Sequence, residues 1–513
     1  MTLPLRENSR LKNYQSLLTF GAALLCSMLT ACNPGPKYHP PAAPVAKAGS
    51  YKESTVNFQD ANGWKVASPQ DGMLRGKWWE IFNEPELNAL EEQLNINNEN
   101  IKVSIQNFME ARALIAQARS QYWPTITTGP SWNRSKSSGN LHNSSTANAG
   151  QTSTLWSLPL DITWEPDLWG KIRNQVHQAQ YAAQVSAADL ENEKLTEEAS
   201  LAQFFFEIRG QDELQQLLNE TVAYYQKSLD VNQGAYDAGT GDYISVVEAR
   251  TTLQTAQSSA INVGLARAQY AHAIAVLVGK VATDFSIPVR PMIYRAPPIP
   301  TGVPSQLVER RPDVAAAERT LAEANAEIGI GYGAFFPQVT LSAAGGYESS
   351  LFKHLFDWPS RFWSIGPSSS QIIFDGGLYR AALHQYEAVY NADLDTYRQT
   401  SLTAFQQVED SLAGTRVYSQ QILKQMEAVK SAQEFVSLET ERYNSGLDPY
   451  VDVITAQTTL LNDQVTLNTL QVEGMISAVQ LVQALGGGWD RTQLPTPSQV
   501  TAKVPSADYK IQQ

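Results

Sequence analysis

Between positions 156 and 164 the side chains alternate in character: Trp156, Leu158, Leu160, Ile162 and Trp164 fall on one side, and Ser157, Pro159, Asp161 and Thr163 on the other. Period two with one apolar side predicts a half-buried strand. Tryptophan at both ends fits the aromatic girdles of a lipid-facing barrel strand, although a strand on a soluble core would satisfy the same pattern. Val339, Leu341, Ala343 and Tyr347 alternate more weakly, and strands are expected to start near Pro124 and Pro337 and to end near Trp164 and Phe374. The run Gly366 to Ser370 makes the fourth strand irregular. Elsewhere the period lengthens. From Asp167 to about Gln233 there is no proline, and Tyr181, Val185, Ala188, Asn192, Leu195, Ala199, Ala202 and Phe206 recur in steps of four and three. That is a heptad seam, which a buried bundle core would also produce. A continuous helix of that length is about 100 Å long at 1.5 Å per residue. Gly377 to Asn444 repeats the length, with Leu383, Tyr390, Leu394, Tyr397, Ala404, Val408 and Leu412 along one face. Gly239 and Gly446 stand where each helix must end and the chain reverse, a place for a residue that accepts positive φ.

The two long helices belong to an internal repeat. Tyr236 to Gln257 aligns with Tyr443 to Gln464 at an offset of 207 residues, with nine of 22 positions identical, among them Tyr236/Tyr443, Gly239/Gly446 and Tyr243/Tyr450. The same offset pairs Gly170 with Gly377 and Gly279 with Gly486, while QYWPTIT around Pro124 matches AFFPQVT around Pro337 at an offset of 213. Each copy therefore reads as a moderate helix, a strand, a polar loop, a second strand, and two long helices joined by a tight turn. In the first copy the polar loop is Asn133 to Gln151, rich in Ser, Asn, Thr and Gly.

The N-terminus places this repeat in a compartment. Arg6, Arg10 and Lys12 precede an apolar stretch, Leu17 to Leu29, too short to span a bilayer and closed by Leu29-Thr30-Ala31-Cys32. The box resembles a lipoprotein signal, cut before the cysteine and acylated on it, and Asn33 is not the aspartate of an inner-membrane retention signal. Cleavage removes Cys26, so Cys32 is left to carry the lipid and no intrachain disulfide can form. Beyond this leader there is no run of about 18 apolar residues, so any crossing of a membrane uses strands. The domains expected are a signal peptide at 1–31, a lipid-anchored tether and equatorial region at 32–77, the first repeat at 78–280, a Pro-rich linker at 281–305, the second repeat at 306–489 and a polar tail at 490–513.

Charge and composition remove other classes. With 38 basic and 51 acidic residues the net charge is −13, a poor match for nucleic acid. The six histidines are scattered without metal-ligand spacing, Gly279-Lys280 lacks the rest of a phosphate loop, and no serine elbow is present, so neither an enzyme nor a cofactor or metal site is expected.

With these elements placed, the chain resembles the outer-membrane factors of tripartite efflux pumps, the TolC-like family, in its lipoprotein branch of OprM and NodT type. LTAC at Leu29 to Cys32, WWEIFNEPEL at Trp78 to Leu87, LVERRPDVAAAE at Leu307 to Glu318 and GLDPYVDVITAQ at Gly446 to Gln457 carry the likeness. The resemblance implies a mostly α fold with membrane β: four barrel strands and long coiled-coil helices per chain, closing as a homotrimer into a 12-stranded barrel on an α-helical tunnel. It implies a passive exit duct in the outer membrane for drugs or other small molecules, anchored in outer-membrane lipid and served by a periplasmic adaptor and an inner-membrane transporter of the RND type. VDV at Val451 to Val453 is similar to the aperture-lining segment of that family, which makes Asp452, and with it Asp448, the expected channel aperture. Independently, four strands cannot close a barrel without leaving edge groups unpaired in lipid, so more than one chain must combine. The alternative, a periplasmic helical scaffold or adaptor lipoprotein, should carry one hairpin inserted in a small β domain; this chain repeats two hairpins, each preceded by two strands. A lipoprotein hydrolase would need a motif not found here.

Overall fold

The computed structural model describes residues 34–44, 51–53, 76–140, 150–297, 299 and 307–503. Helices α1 (Pro85–Asn97) and α2 (Glu99–Ser120) lead into strands β1 (Thr125–Thr128), β2 (Ser131–Lys136) and β3 (Thr152–Trp164), then helices α3 (Lys171–Asp237) and α4 (Tyr243–Leu277). The second copy follows as α5 (Pro312–Gly333), β4 (Gln338–Ser349), β5 (Arg361–Ser370), α6 (Leu378–Asn444) and α7 (Tyr450–Ala484). The repeat is reproduced to the residue: α3 and α6 each have 67 residues, α4 and α7 each 35, and α2 and α5 each 22. Among the described residues no helix is long and apolar enough to cross a membrane.

The strands form one antiparallel meander in which β1 and β2 share the first strand position beside β3, followed by β4 and β5. The first strand is interrupted at Gly129-Pro130, where proline removes a ladder donor. Register gives the sheet a mainly apolar and a mainly polar face, with Arg134, Lys136 and Arg361 on the first and Leu155 and Phe362 on the second. Ile126, Trp132, Trp156, Leu158, Leu160, Ile162, Trp164, Leu341, Ala343, Tyr347, Trp363 and Ile365 share one face, while Thr125, Thr127, Ser157, Asp161, Thr163, Ser342, Glu348, Ser364 and Ser368 share the other. Three positional expectations need correction. The fourth strand is regular through Gly366 and ends at Ser370, short of Phe374. The first polar loop begins at Ser137, because 133–136 pair with β3. The helix expected from Asp167 starts at Lys171, since Asp167 caps it by accepting from the backbone N–H of Ile172 and Arg173, both at 3.0 Å. Separately, the tail beyond Trp489 is ordered to 503: Val500 is buried with Ile115 and Ala183, and Arg112 donates to the carbonyls of Val500 (3.2 Å) and Ala502 (2.8 Å).

All eight positions of the first heptad seam are buried or half-buried, as are the seven of the second. The main core lies at the level where α1 packs on α3 and α3 on α7, with Trp78, Phe82, Leu87, Leu94, Leu201, Phe205, Ile208, Met475 and Val479 at its centre. Here α7 passes so close to α3 that a Cβ on Gly210 would stand 2.2 Å from Val472 Cγ2. The Pro-rich linker is pinned to this belt. Buried Arg209 donates to Asp212 (3.1 Å) and to the carbonyl of Pro288 (2.8 Å), and Arg267 donates to Asp212 (2.5 Å) and to the carbonyl of Ile287 (2.9 Å). In the RRPD motif Pro312 opens α5, and Arg311 grips Asp313, Gln407 and the carbonyl of Ala484, tying three helices together.

Candidate functional site

The ends of the helical hairpins farthest from the sheet hold the residues singled out as an aperture. Helix α6 closes with Gly446 in the left-handed region at φ 73°, its N–H bonded to the Tyr443 carbonyl (2.9 Å) while Leu447 N–H reaches Arg442 (3.0 Å). This double bond satisfies the last carbonyls and turns the chain, as the equivalent bonds around Gly239 do in the first copy. The copies then diverge. Asp242 caps α4 by accepting from Ser245 N–H (2.8 Å), whereas the N-cap of α7 is Pro449, which has no side-chain acceptor.

Asp448, at the position of Gly241 in the first copy, pairs with Arg442 of α6 through both guanidinium edges, Nη2 to Oδ1 at 3.0 Å. The hydrogen bond from Arg442 is the largest influence on the Asp448 carboxyl and holds it below the usual aspartate range. Asp452 occupies the first turn of α7, where a negative charge complements the helix dipole. The structure brings Asp448 and Asp452 together and adds Glu439, with one carboxylate oxygen of each within 4.8 Å of the others. Glu439 was not expected. Its only signal is the i, i+3 spacing to Arg442, which puts both on the face of α6 turned to α7. Three carboxylates and one guanidinium make a net acidic corner. Cys32 lies outside the described residues.

The tip is held to the first copy by tyrosines. Tyr443 Oη donates to Asn232 Oδ1 of α3 (2.8 Å), and the buried Tyr450 shares a hydrogen bond with Ser228, its ring 5.2 Å from that of Tyr443. The matching residues of the first hairpin, Tyr236 and Tyr243, pack on each other at 5.3 Å and are exposed on their outer side.

Residues 90–280 and 303–487 match the Outer membrane efflux protein family. The solvent efflux pump outer membrane protein SrpC of Pseudomonas putida is 31% identical over 477 residues, 91% of this chain and 97% of its own. Outer membrane protein OprJ of Pseudomonas aeruginosa is 29% identical over 92% of this chain and 96% of its own. Among solved structures, the outer-membrane channel OprN superposes with a TM-score of 0.80 at 25% identity, covering 89% of this chain and all of that one. The CmeC outer membrane channel of Campylobacter jejuni gives 0.80 at 21% identity, covering 90% of this chain and 96% of its own, a likeness of fold. Two matched segments that coincide with the two structural copies, together with relatives aligned nearly end to end, identify the chain as a member of the outer membrane efflux protein family.

Proposed function

We propose that three copies of this chain close into a passive duct through the outer membrane, with the acidic hairpin tips as its periplasmic aperture. The observation that carries this reading is the joint between the two copies within one chain. There β3 pairs with β4 over nine residues, from Trp156/Ser349 to Trp164/Leu341, and α7 packs its buried Val472 against Gly210 of α3. The same surfaces one repeat on are bare: β5 and β1/β2 are sheet edges, Leu265 of α4 is 61% exposed where its counterpart Val472 is 6%, and Val417, the counterpart of Gly210, is 40% exposed. Repeating the internal joint between chains would pair β5 with the next β1/β2 and cover Leu265 with the next Val417. It also leaves no strand edge in lipid. Closure after three copies, giving twelve strands, is the family's count.

In this duct the apolar sheet face meets lipid and the face of Thr, Ser and Asp lines the lumen. The hairpin ends of the sheet face outward and the helices descend into the periplasm. The domain boundaries given above follow the same plan, with the tether on the outside of the helices: Asn325 Nδ2 donates to the Pro36 carbonyl (3.1 Å), Tyr38 Oη to Glu318 (2.5 Å), and Lys52 N–H to Glu409 (2.8 Å). This run climbs along α5 towards the sheet, and the four residues from Pro36 back to Cys32 reach at most about 14 Å, which supports an acylated Cys32 at the inner surface of the membrane. The duct performs no catalysis. Energy comes from an inner-membrane transporter of the RND type through a periplasmic adaptor that meets the helical tips.

Purified protein in a planar bilayer tests the reading. Discrete single-channel steps are the expected result. Stable insertion without conductance at any voltage or pH supports a scaffold instead.

A further inference from the structure

The two hairpin connections at the end of the sheet remote from the helices differ in chemistry although they occupy equivalent places in the repeat. The first is built from Ser, Asn, Thr and Gly, and the second reads LFKHLFDWPS from Leu351 to Ser360. This second connection is well built: 3-10 turns at Phe352–His354 and Trp358–Ser360 are joined by Ser360 Oγ donating to the His354 carbonyl (2.6 Å) and by His354 Nδ1 against Asp357 Oδ2 (2.7 Å), with Leu355 buried inside. Yet it presents Phe352, Phe356 and Trp358 at 60%, 65% and 77% exposure. A preordered aromatic patch facing water is costly, and its natural place is a membrane interface.

Ring contacts show which way the hairpin leans. Phe352 packs on Trp156 (4.9 Å) and Phe356 on Tyr347 (5.6 Å), and both Trp156 and Tyr347 belong to the apolar sheet face. The hairpin therefore folds over the lipid side of the sheet and away from the polar lumen side. Arg361 is on that same face, opposite Tyr347 at its outer rim, with its guanidinium over the Trp358 ring. Lys353 is exposed on the same hairpin, next in sequence to Phe352. Asp357 is already engaged by His354, and neither Lys353 nor Arg361 forms an ion pair with a carboxylate among the described residues.

We propose that this hairpin is seated in the outer leaflet by Phe352, Phe356 and Trp358, and that Lys353 and Arg361 bind the phosphate groups of the phosphorylated glycolipid there, lipid A. Arginine suits the task because its planar fork holds two phosphate oxygens while its face stacks on an aromatic ring. The proposal rests on the reading of the chain as an outer-membrane duct.

The test compares the parent with the Lys353→Gln, Arg361→Gln double variant, both full-length and reconstituted in phosphatidylethanolamine vesicles containing lipid A or lipid A stripped of its phosphates. Lipid retained on the extracted trimer is counted by native mass spectrometry. Loss of charge-assisted bonds to phosphate should lower lipid A affinity roughly tenfold in the double variant. The dephosphorylated lipid should be retained equally and weakly by both proteins. Parental retention of lipid A by the variant overturns the proposal, and so does a variant that falls apart into monomers, since the pair would then belong to the seam between subunits. Conductance in the same preparation reports the duct separately: a conducting parent with equal lipid retention in parent and variant defeats this proposal alone, while a silent parent defeats the duct reading and this proposal with it.

Discussion

Glu91 of α1 is fully buried, and neither of its carboxylate oxygens has a hydrogen-bond partner among the described residues. Burial, and then the charge of Glu198 nearby, push its carboxyl well above the ordinary range. Glu198 is also raised by burial, to about 7, although Trp78 Nε1 (2.8 Å) and Asn95 Nδ2 (3.0 Å) donate to it. Carboxyls raised in the folded state stabilise it fully below their unfolded value near 4.5, and that contribution is lost as pH rises through the folded value, for Glu198 about 7. Thermal melts should therefore show Glu91→Gln more stable than the parent near pH 8, by on the order of 1–3 kcal/mol, and little different near pH 5. An equal effect at both pH values would exclude titration as the cause. None of this was legible in the sequence, where Glu91 sits in an ordinary EEQ run and Glu198 lies over a hundred residues away. At the tip, Asp448 and Asp452 were legible through the motif around Gly446, but Glu439 needed the hairpin to close before it came within reach. If these carboxylates and the Arg442 clamp narrow the mouth, Asp448→Ala with Asp452→Ala should raise single-channel conductance roughly twofold or more and lower cation selectivity. Parental conductance and selectivity in an assembled double variant would leave both residues as surface charges.

The long helices are the elements that amphipathic period and repeat offset described best, because both depend only on local spacing. Strand β5 was hidden for a physical reason. A barrel strand needs apolar residues on its lipid face only, and its lumen face of Ser364, Gly366 and Ser368 reads as a turn. The run at 281–305 reads as a linker from its prolines, and what pins its described part, around 287–290, is Asp212, 1% exposed, which receives Arg209, Arg267 and the backbone N–H of Arg290 (2.9 Å). Asp212→Ala removes the carboxylate shared by Arg209 and Arg267 but leaves Arg209 its ion pair with Glu86, so it should cost less than the about 3–5 kcal/mol of a fully broken buried pair. Limited proteolysis should then cut the linker well before the helices. A variant as resistant as the parent would show that the prolines alone hold it.

At the scale of the whole molecule, the proposed duct would be built by using one joint repeatedly. Inside the chain that joint unites the first copy with the second, and its contacts are explicit: Tyr443 with Asn232 at the tip, Val472 against Gly210 at the belt, β3 with β4 in the membrane. In the proposed trimer the corresponding pairs one repeat on would be Tyr236 with Glu439, Leu265 with Val417, and β1/β2 with β5, in each case between neighbouring chains. Glu439 would thereby acquire a role at the tip, as the acceptor for a neighbour's Tyr236. The belt pair offers the most direct test. A Cβ at Gly210 would lie 3.6 Å from that of Val472, within the span of a disulfide, so cysteines at the equivalent positions should also be able to join. Leu265→Cys with Val417→Cys, oxidised in intact outer membranes and run without reductant, should give a covalent ladder that ends at three chains, while each single variant stays monomeric. A double variant that remains monomeric under oxidation, or a ladder that ends at another number, would contradict closure of three chains through this joint.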